Sequence, residues 1–491
     1  MRISIRRTSF VGENSVNIRF ESACRIALPV MMAVVLALSA PGVWAQGDIS
    51  ASANSPQSAN AAPSAGSGDV LVVRGAKIYP ISGPPIEGGV LIVRGKKIEA
   101  VGAEGSVSIP PNAKVVDATG KVVMPGIVDS HSHIGIIGNP PLGSNVDANE
   151  SSGPVQPQLR AMDAINPADP GIRVAASGGI TTANIMPGSG NVIGGETAYV
   201  KLRGQTIEEM LIPGSIGGMK MANGENPKGY GRRNQAPVTR MEEAALARRE
   251  YTKAQEYKHK WDEYNKQVAA GSKDAKQPDR DLGMEALVQV LDGKRIVQHH
   301  THRADDIMTV LRISDEFHYR VVLQHGTEAY LVADEVAKRH VPVSLTVVDS
   351  PGGKMETMNL EMQAAGILEK AGVKVAVNTD DNIINSRFIL RSAGLAVAGG
   401  MSAEGALRAL TINPAEMLDL GDRVGTLEKG KDADFIILSG PPLSAYTKVL
   451  ETWIEGEKVF DRSNPEDLHF ATGGFRVAER YPKLNGAGGV Q

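Results

Sequence analysis

The feature that most constrains this 491-residue chain is a largely apolar segment, residues 122–133, that ends in two histidines, His131 and His133. In a β-strand, side chains two positions apart point to the same face, so both imidazoles would project together from the strand end. Two imidazoles on one face supply half of the ligands of a transition-metal site. The rest of the chain must then fold so that further ligands reach this strand end.

Three further ligand-type residues, His300, His325 and Asp380, each follow a short apolar run. Eight such runs, the later ones separated by amphipathic helical patterns, predict an α/β fold, namely a (β/α)8 TIM-like barrel with its active site at the C-terminal strand ends. An open doubly wound sheet is the alternative, but ligands from four separate strands converge more easily in a closed barrel. The predicted strands are residues 122–131, 181–186, 198–202, 218–222, 295–300, 320–325, 341–348 and 373–379.

Glycine-broken β-like runs flank this middle region on both sides, which predicts one composite β-sandwich domain built from the N- and C-terminal segments. A long polar helix starting at the capping box Thr239–Glu242 is either solvated or in contact with a second subunit, which leaves a homo-oligomer open. The predicted boundaries are 69–121 and 419–465 for the β-sandwich domain, 122–418 for the barrel, 223–282 for a helical insertion within it, and 466–491 for a C-terminal tail.

The N-terminal 45 residues have the pattern of a secretory signal peptide, with several arginines, an apolar core at 26–38 and small residues before a cleavage site near Ala45. Residues 46–68 are rich in Ser, Ala, Asn, Gly and Pro and are predicted to be a disordered linker. We therefore expect a periplasmic or secreted protein without a stable membrane anchor after signal cleavage. Cys24 is the only cysteine and would leave with the signal, so a metal site in the mature chain must use nitrogen and oxygen ligands.

Charge and composition disfavour a nucleic-acid partner. The net charge is −3 and aromatic residues make up 4% of the chain, so neither a basic surface nor a stacking platform for bases is expected. The expected partner is a small-molecule or short-peptide substrate.

Several ordered motifs resemble those of the amidohydrolase superfamily, and within it the secreted imidazolonepropionase-like and Xaa-Pro-dipeptidase-like members. The resemblance covers residues 70–465 and implies a metal-dependent hydrolase on a distorted barrel with a composite β-sandwich. The motifs that carry it are residues 125–133, the H-x-H within 297–303, residues 323–327, residues 378–380, and the C-terminal stretches 411–418 and 425–434.

The resemblance implies a centre of one or two divalent ions, with zinc ahead of iron or manganese. Asp380 resembles the strand-eight aspartate that takes a proton from the attacking water and passes it to the leaving nitrogen. Lys220 is the preferred candidate for a carboxylated lysine bridging two ions. In relatives with one ion this lysine is missing, and His300 and His325 then divide between ligand and substrate roles. The implied ligands are His131, His133, Lys220, His300, His325 and Asp380.

Residues beside these candidates receive less certain roles from the pattern. His302 shares a strand face with His300 and could orient substrate, as could His325, whereas His299 points the opposite way and is interpreted as structural. Asp129 lies one inward step below His131 and could hold a ligand imidazole. Three arginines, Arg303, Arg232 and Arg233, could bind a substrate carboxylate or be ordinary surface residues.

The sequence leaves three candidate functions. The first is hydrolysis of an amide, peptide or cyclic-amide C–N bond in an exported protein, with small peptides or N-acyl amino acids as substrates. The second is a deaminase of the same superfamily, which is disfavoured because such relatives carry a glutamate where this chain has Arg303. The third is a catalytically inactive periplasmic binding protein, which is disfavoured because no ligand position has been lost.

Overall fold

The computed structural model describes residues 70–346 and 353–474. The predicted signal peptide (1–45) and linker (46–68), residue 69, the end of one predicted strand (347–348) and most of the predicted tail (475–491) lie outside the described residues. In the described part, the strands are β1 (Val70–Ile78), β2 (Ile86–Arg94), β3 (Lys97–Ala103), β4 (Lys114–Asp117), β5 (Val122–Pro125), β6 (Ile127–Ser132), β7 (Ile180–Ile185), β8 (Ile193–Glu196), β9 (Ala198–Lys201), β10 (Met219–Ala222), β11 (Val297–Thr301), β12 (Val321–His325), β13 (Val343–Thr346), β14 (Val375–Asn378), β15 (Phe435–Leu438), β16 (Val449–Ile454) and β17 (Glu457–Asp461).

Most helices lie between these strands. They are α1 (Pro170–Ser177), α2 (Ile207–Met210), α3 (Arg240–Ala269), α4 (Leu282–Leu291), α5 (Ala304–Phe317), α6 (Ala333–Lys338), α7 (Ala364–Lys370), α8 (Ile389–Ala398), α9 (Ala403–Leu410), α10 (Ile412–Met417) and α11 (Pro465–Thr472). Across residues 70–346 and 353–474, none of these helices combines the length and the apolar character needed to cross a bilayer.

Strands from both ends of the chain join in one sheet, as the composite domain requires. Its order is β17-β16-β15-β5-β1-β2-β3, with β4 also paired to β1. The pairing therefore gives a single eight-stranded sheet in place of the two stacked sheets of the predicted sandwich. Alternation along the strands buries apolar residues on both faces: Val73 and Phe435 belong to one cluster, and Val72 and Ile92 to another.

The predicted first barrel strand is in fact two strands. Residues 122–125 form β5, which pairs with β1 and β15 in the terminal sheet, and the barrel begins only at β6. The chain changes sheets at Gly126, where an added Cβ would lie 2.2 Å from the hydroxyl oxygen of Thr181. The predicted domain boundary at 122 is therefore too early, because an unbroken apolar run conceals the change of sheet.

The middle of the chain is a mixed α/β structure with mainly parallel strands. Strands β10 to β14 are successive parallel neighbours, and β6 pairs in parallel with β7. The third predicted strand departs from this pattern, because β9 pairs antiparallel with β7 and β8 pairs antiparallel with β10. The α/β class is confirmed. The strands of this region form a six-stranded and a three-stranded sheet and not one regular closed ring.

Backbone hydrogen bonds connect these two sheets at both seams. The Thr197 N–H, between β8 and β9, donates to the Gly218 carbonyl before β10 at 2.9 Å. On the other side, the Asp380 N–H, after β14, donates to the His131 carbonyl of β6 at 2.9 Å. The second seam places the C-terminal ends of β6 and β14 side by side, which is where the candidate site lies.

Two surface elements differ from their predictions. Helix α3 begins as predicted, with the Thr239 hydroxyl accepting from the Glu242 N–H, but one face of its first half is buried. Leu246 and Tyr251 are buried, and the Tyr251 ring stacks on Tyr319 at 4.9 Å between ring centroids. The first part of the predicted tail is helix α11, whose Phe470 packs with Val174 of α1.

Candidate metal centre

The C-terminal ends of five strands bring seven candidate residues together; five of them line one cavity, and the other two, His131 and Lys220, are fully buried beside it. The cavity has a volume of about 250 Å³. His131 and His133 come from β6, and their rings lie 5.1 Å apart between centroids. The His325 ring lies 4.9 Å from that of His131 and 4.3 Å from that of His300. The set consists of His131, His133, Lys220, His300, His302, His325 and Asp380.

Asp380 and the two histidines of β6 form the first donor group. A carboxylate oxygen of Asp380 lies 3.1 Å from His133 Nε2 and 3.4 Å from His131 Nε2. The His133 Nδ1–H donates to the Met186 carbonyl at 2.8 Å, because a carbonyl can only accept. In the neutral ring, Nε2 of His133 therefore carries the lone pair and faces Asp380.

The His131 ring is oriented by Gln324. Its Nδ1 lies 3.1 Å from Gln324 Oε1, while the Gln324 amide nitrogen donates to Gln298 Oε1 at 2.7 Å. The amide oxygen is thus left to accept from His131 Nδ1–H, and the lone pair of His131 falls on Nε2. Such partners fix the tautomer and direction of metal-ligating imidazoles.

The second donor group is His300, His302 and His325, whose ring nitrogens lie within 4.8 Å of one another. The Thr346 hydroxyl donates to Asn378 at 2.9 Å and is left to accept from His325 Nδ1–H, also at 2.9 Å. Nε2 of His325, Nδ1 of His300 and Nε2 of His302 are buried, and none of them has a hydrogen-bond partner among the described residues. Buried imidazole nitrogens without a partner are an observation that a bound cation would explain.

Two of the candidate ligands have strained backbones. His325 has φ of 70° and Asp380 has φ of 44°, both in the left-handed region that side chains other than glycine rarely occupy. Such strain persists where the surrounding structure enforces it, and it concentrates at functional sites. In both residues the strain falls directly at the end of a parallel strand, where the side chain turns into the cavity.

Lys220 lies beneath the histidines with no exposed surface. Its Nζ is 3.1 Å from His131 Nε2 and 3.0 Å from the Met186 sulfur. Burial lowers the pKa of this lysine to about 7, although the nearby Asp380 carboxylate opposes the shift.

Burial also keeps the imidazoles neutral. It lowers the pKa of His131, His300 and His325 well below the usual range, and neighbouring cations and imidazoles lower it further. Neutral imidazole nitrogens and one carboxylate are a donor set suited to zinc, iron or manganese. The residues present therefore fit a divalent cation.

Several predicted site residues lie elsewhere. Arg303 is 43% exposed, pairs with Asp305 at 2.8 Å and does not line the cavity. Arg232 is exposed and lines a neighbouring cavity, while the side chain of Arg233 lies outside the described part. The Arg303 guanidinium pairs with the carboxylate of Asp305, two residues later, so its side chain does not turn into the cavity.

Asp129 does not hold a ligand imidazole, and His299 does not face the cavity. Asp129 accepts from the backbone N–H groups of His131 and Thr379, and from the Thr379 hydroxyl at 2.5 Å, so it ties β6 to the end of β14 and does not touch an imidazole. Burial raises its pKa to about 7. His299 is buried away from the cavity, and no hydrogen-bond partner is found for its ring nitrogens among the described residues.

Sequence reasoning missed four polar residues of this region. Gln324 and Thr346 orient ligand candidates, and their signal is their position at or next to the ends of predicted strands. Asn226 and Lys354 line the cavity from loops after β10 and β13. No periodic pattern marks them, because only the folded barrel brings these two loops together.

Comparison with known proteins agrees with this fold. Residues 122–459 match the amidohydrolase family. A solved amidohydrolase from Thermotoga maritima MSB8 is 38% identical and superimposes with a TM-score of 0.75, covering 80% of this chain and all of that one. Phenylurea hydrolase B has the same general fold, with 16% identity, a TM-score of 0.51, and coverage of 81% of this chain and 98% of its own.

Two relatives by sequence agree with the same assignment. The amidohydrolase tasK of Hapsidospora irregularis is 32% identical over 371 residues, which are 72% of this chain and 38% of that protein. The chain therefore spans less than half the length of this relative. The imidazolonepropionase of Symbiobacterium thermophilum is 26% identical over 422 residues, covering 76% of this chain and 91% of its own. The chain belongs to the amidohydrolase family.

Proposed function

We propose that this protein is an exported metal-dependent amidohydrolase that cleaves the C–N bond of N-acyl amino acids or short peptides. The observation that carries the proposal is the clustering of imidazoles from three strands with the Asp380 carboxylate at one cavity. Asp380 lies 3.1 Å from His133 and 3.4 Å from His131, and buried ring nitrogens of His300, His302 and His325 have no hydrogen-bond partner among the described residues. Export rests only on the signal-like N-terminus. The proposal that the substrate is small rests on the limited cavity volume of about 250 Å³.

His131, His133 and Asp380 would hold one cation, and His300 and His325 a second, with carboxylated Lys220 between them. Such cations supply Lewis acidity, which polarises a carbonyl and makes a water molecule more acidic. His302 is the remaining imidazole of the second group. It directly follows β11 and lines the cavity, so we assign it to substrate orientation. Thr327 fixes its ring, with the hydroxyl 2.7 Å from His302 Nδ1.

Asp380 moves the proton. Its carboxylate touches the ligand histidines but retains 13% exposure and lines the cavity, so it reaches both the cation side and the substrate side. It would accept a proton from the attacking water and deliver that proton to the leaving nitrogen, which departs as a neutral amine.

Metal analysis combined with substrate screening tests the proposal. The purified mature protein should contain one or two equivalents of zinc, iron or manganese, and the His131→Asn/His133→Asn variant should lose most of it. Lys220→Ala should reduce two equivalents to one if the lysine bridges two ions. His259→Asn on α3, outside the cavity, is the matched control and should retain the full metal content.

The activity screen uses dipeptides and N-acyl amino acids with added zinc or manganese, and it reads release of the free amino acid. Cleavage of an amide by the wild type, abolished by the double histidine variant, is the expected result. Unchanged metal content in the double variant, or no cleaved amide in a broad library, would contradict the proposal.

A further inference from the structure

The cavity above the candidate metal centre has two chemically different walls. On the side of His133 and Asp380, Ile137 and Ile383 line it, and Ile383 is 51% exposed. These two isoleucines follow β6 and β14, the strands that are adjacent at the second seam. An apolar part of a substrate would bind best against this wall, because the contact removes apolar surface of both partners from water.

The wall beside His300 is polar and holds a cation. Lys354 contributes its ammonium group there, and it is the only lysine or arginine among the described residues that line the cavity. Its Nζ donates to Asn226 Oδ1 at 3.1 Å and to Glu356 Oε1 at 3.1 Å. An ammonium group has three donors, so one remains for a ligand.

The position of this ammonium group is fixed by contacts between two loops. The Glu225 N–H donates to the Glu356 carboxylate at 2.8 Å, and the Glu356 N–H donates to the Glu225 carboxylate at 3.0 Å. Glu225 follows β10 and Glu356 follows β13, so these bonds hold one loop against another across the cavity mouth. A lysine whose ammonium group is already held by two partners loses less side-chain entropy when it binds a ligand.

The separation between Lys354 and the candidate metal ligands suits the separation between the carboxylate and the scissile carbonyl of an N-acyl amino acid. Asn226 lies between them, with its Nδ2 3.5 Å from His300 Nε2 and its Oδ1 bonded to Lys354. The ammonium group is thus one amide group away from a ligand. In an N-acyl amino acid, the carboxylate lies about 4 Å from the scissile carbonyl, which is roughly one Cα–Cα step.

The Asp380 carboxylate disfavours the other placement of such a carboxylate, although Lys354 is itself paired with the Glu356 carboxylate. Near Ile137 and Ile383 the anion would face the Asp380 carboxylate across an apolar surface, and like charges in a partly desolvated cavity repel. Beside Lys354 it would accept a charge-assisted hydrogen bond.

We propose that Lys354 binds the free carboxylate of the amino-acid half of the substrate, while the acyl half faces Ile137 and Ile383. This assignment rests on the proposed amide hydrolysis and specifies its substrate class: N-acyl amino acids and dipeptides with a free C-terminal carboxylate and an apolar acyl side. Lys354 is a specificity-determining residue in this scheme.

Ligand binding tests the assignment separately from turnover. The probes are the ketomethylene analogue of N-acetyl-L-leucine, in which a CH2 group replaces the scissile N–H, and its uncharged carboxamide. Both are titrated by calorimetry into the metal-loaded wild-type protein, and neither is consumed because neither has a C–N bond at the scissile position. The acid should bind about tenfold more tightly than the carboxamide, in line with one hydrogen bond to a charged group. Lys354→Met should remove the preference, and Lys354→Arg should keep most of it.

Lys228→Met is the matched control, because Lys228 belongs to the loop after β10 but does not line the cavity. It should leave the preference unchanged. Metal content and melting temperature of each variant show whether the fold is intact. Equal binding of acid and carboxamide, no binding of the acid, or a preference that survives Lys354→Met with intact fold overturns the assignment. Those outcomes leave amide hydrolysis standing, since its failure appears as unchanged metal content in the double histidine variant.

Discussion

A buried ion cluster at the junction of barrel and terminal sheet gives the sharpest stability prediction. Lys201, at the end of β9, has no exposed surface, and its Nζ lies 2.9 Å from Asp432 and 2.5 Å from Asp434. Asp432 also contacts Lys97 at 2.7 Å and Arg423 at 3.3 Å, whereas Asp434 has no second cation among its recorded ion pairs in residues 70–346 and 353–474. We therefore expect Lys201→Met to leave Asp434 as a buried carboxylate without a counter-charge.

The size of the effect follows from this difference. Removing one partner of a buried pair costs about 3–5 kcal/mol, because the remaining charge is uncompensated. A folded unit of roughly 400 residues has an unfolding entropy of about 0.8 kcal/mol/K, so the melting temperature should fall by about 4–6 °C. Differential scanning calorimetry of the mature protein, with constant metal content, measures this change.

The pH dependence and a double variant separate this cause from lost packing. Burial raises the pKa of Asp434 even in the presence of Lys201. Without the lysine, protonation would relieve the buried charge, so the loss of stability should be largest near pH 8 and shrink toward pH 5. Lys201→Met/Asp434→Asn should recover most of the loss. A melting temperature unchanged in Lys201→Met, or a double variant no more stable than the single one at pH 8, would refute the reasoning.

Three further perturbations probe the site and its surroundings. Asp380→Asn should retain the fold while lowering turnover by at least about 100-fold, as expected for loss of a general acid–base group that also holds a cation, and turnover within tenfold of wild type would remove Asp380 from that role. His325→Asn should be about 1–3 kcal/mol more stable in denaturant unfolding than His325→Val, since asparagine tolerates the left-handed φ and a β-branched residue does not; equal stability would show that the strain is negligible. Burial raises the pKa of Glu243 to about 7, so the folded state favours the protonated form and stability declines as pH rises from 4.5 to 7. Glu243→Gln should therefore melt higher than wild type at pH 8 and nearly equally at pH 5, and the same difference at both values would exclude this cause.

The parts of the site that could be predicted are those fixed by strand periodicity. His131 and His133 meet on one face because side chains alternate along β6. His325 is in register with Thr301 and not with His300, so alternation alone does not bring these two together; the left-handed backbone of His325 turns its ring into the cavity. Parallel strands end on the same edge, so the order of apolar runs along the chain was enough to bring Asp380 to them. The change of sheet at Gly126 was missed because apolar periodicity does not distinguish β5 from β6 within one continuous run.

The residues that were mispredicted or missed share a different physical origin. The conformation of Arg303 is decided by a local acid, Asp305, whereas the inward position of Lys354 is decided by Asn226 and Glu356 across the cavity mouth. A chain of this family therefore records its metal centre in strand-end positions, where backbone geometry dictates direction. The residue that we propose for substrate preference, Lys354, is positioned by contacts between loops that are far apart in sequence. For that reason none of the three arginines predicted to bind substrate, Arg232, Arg233 and Arg303, pointed to Lys354, which we propose for that role and which lies more than fifty residues after Arg303.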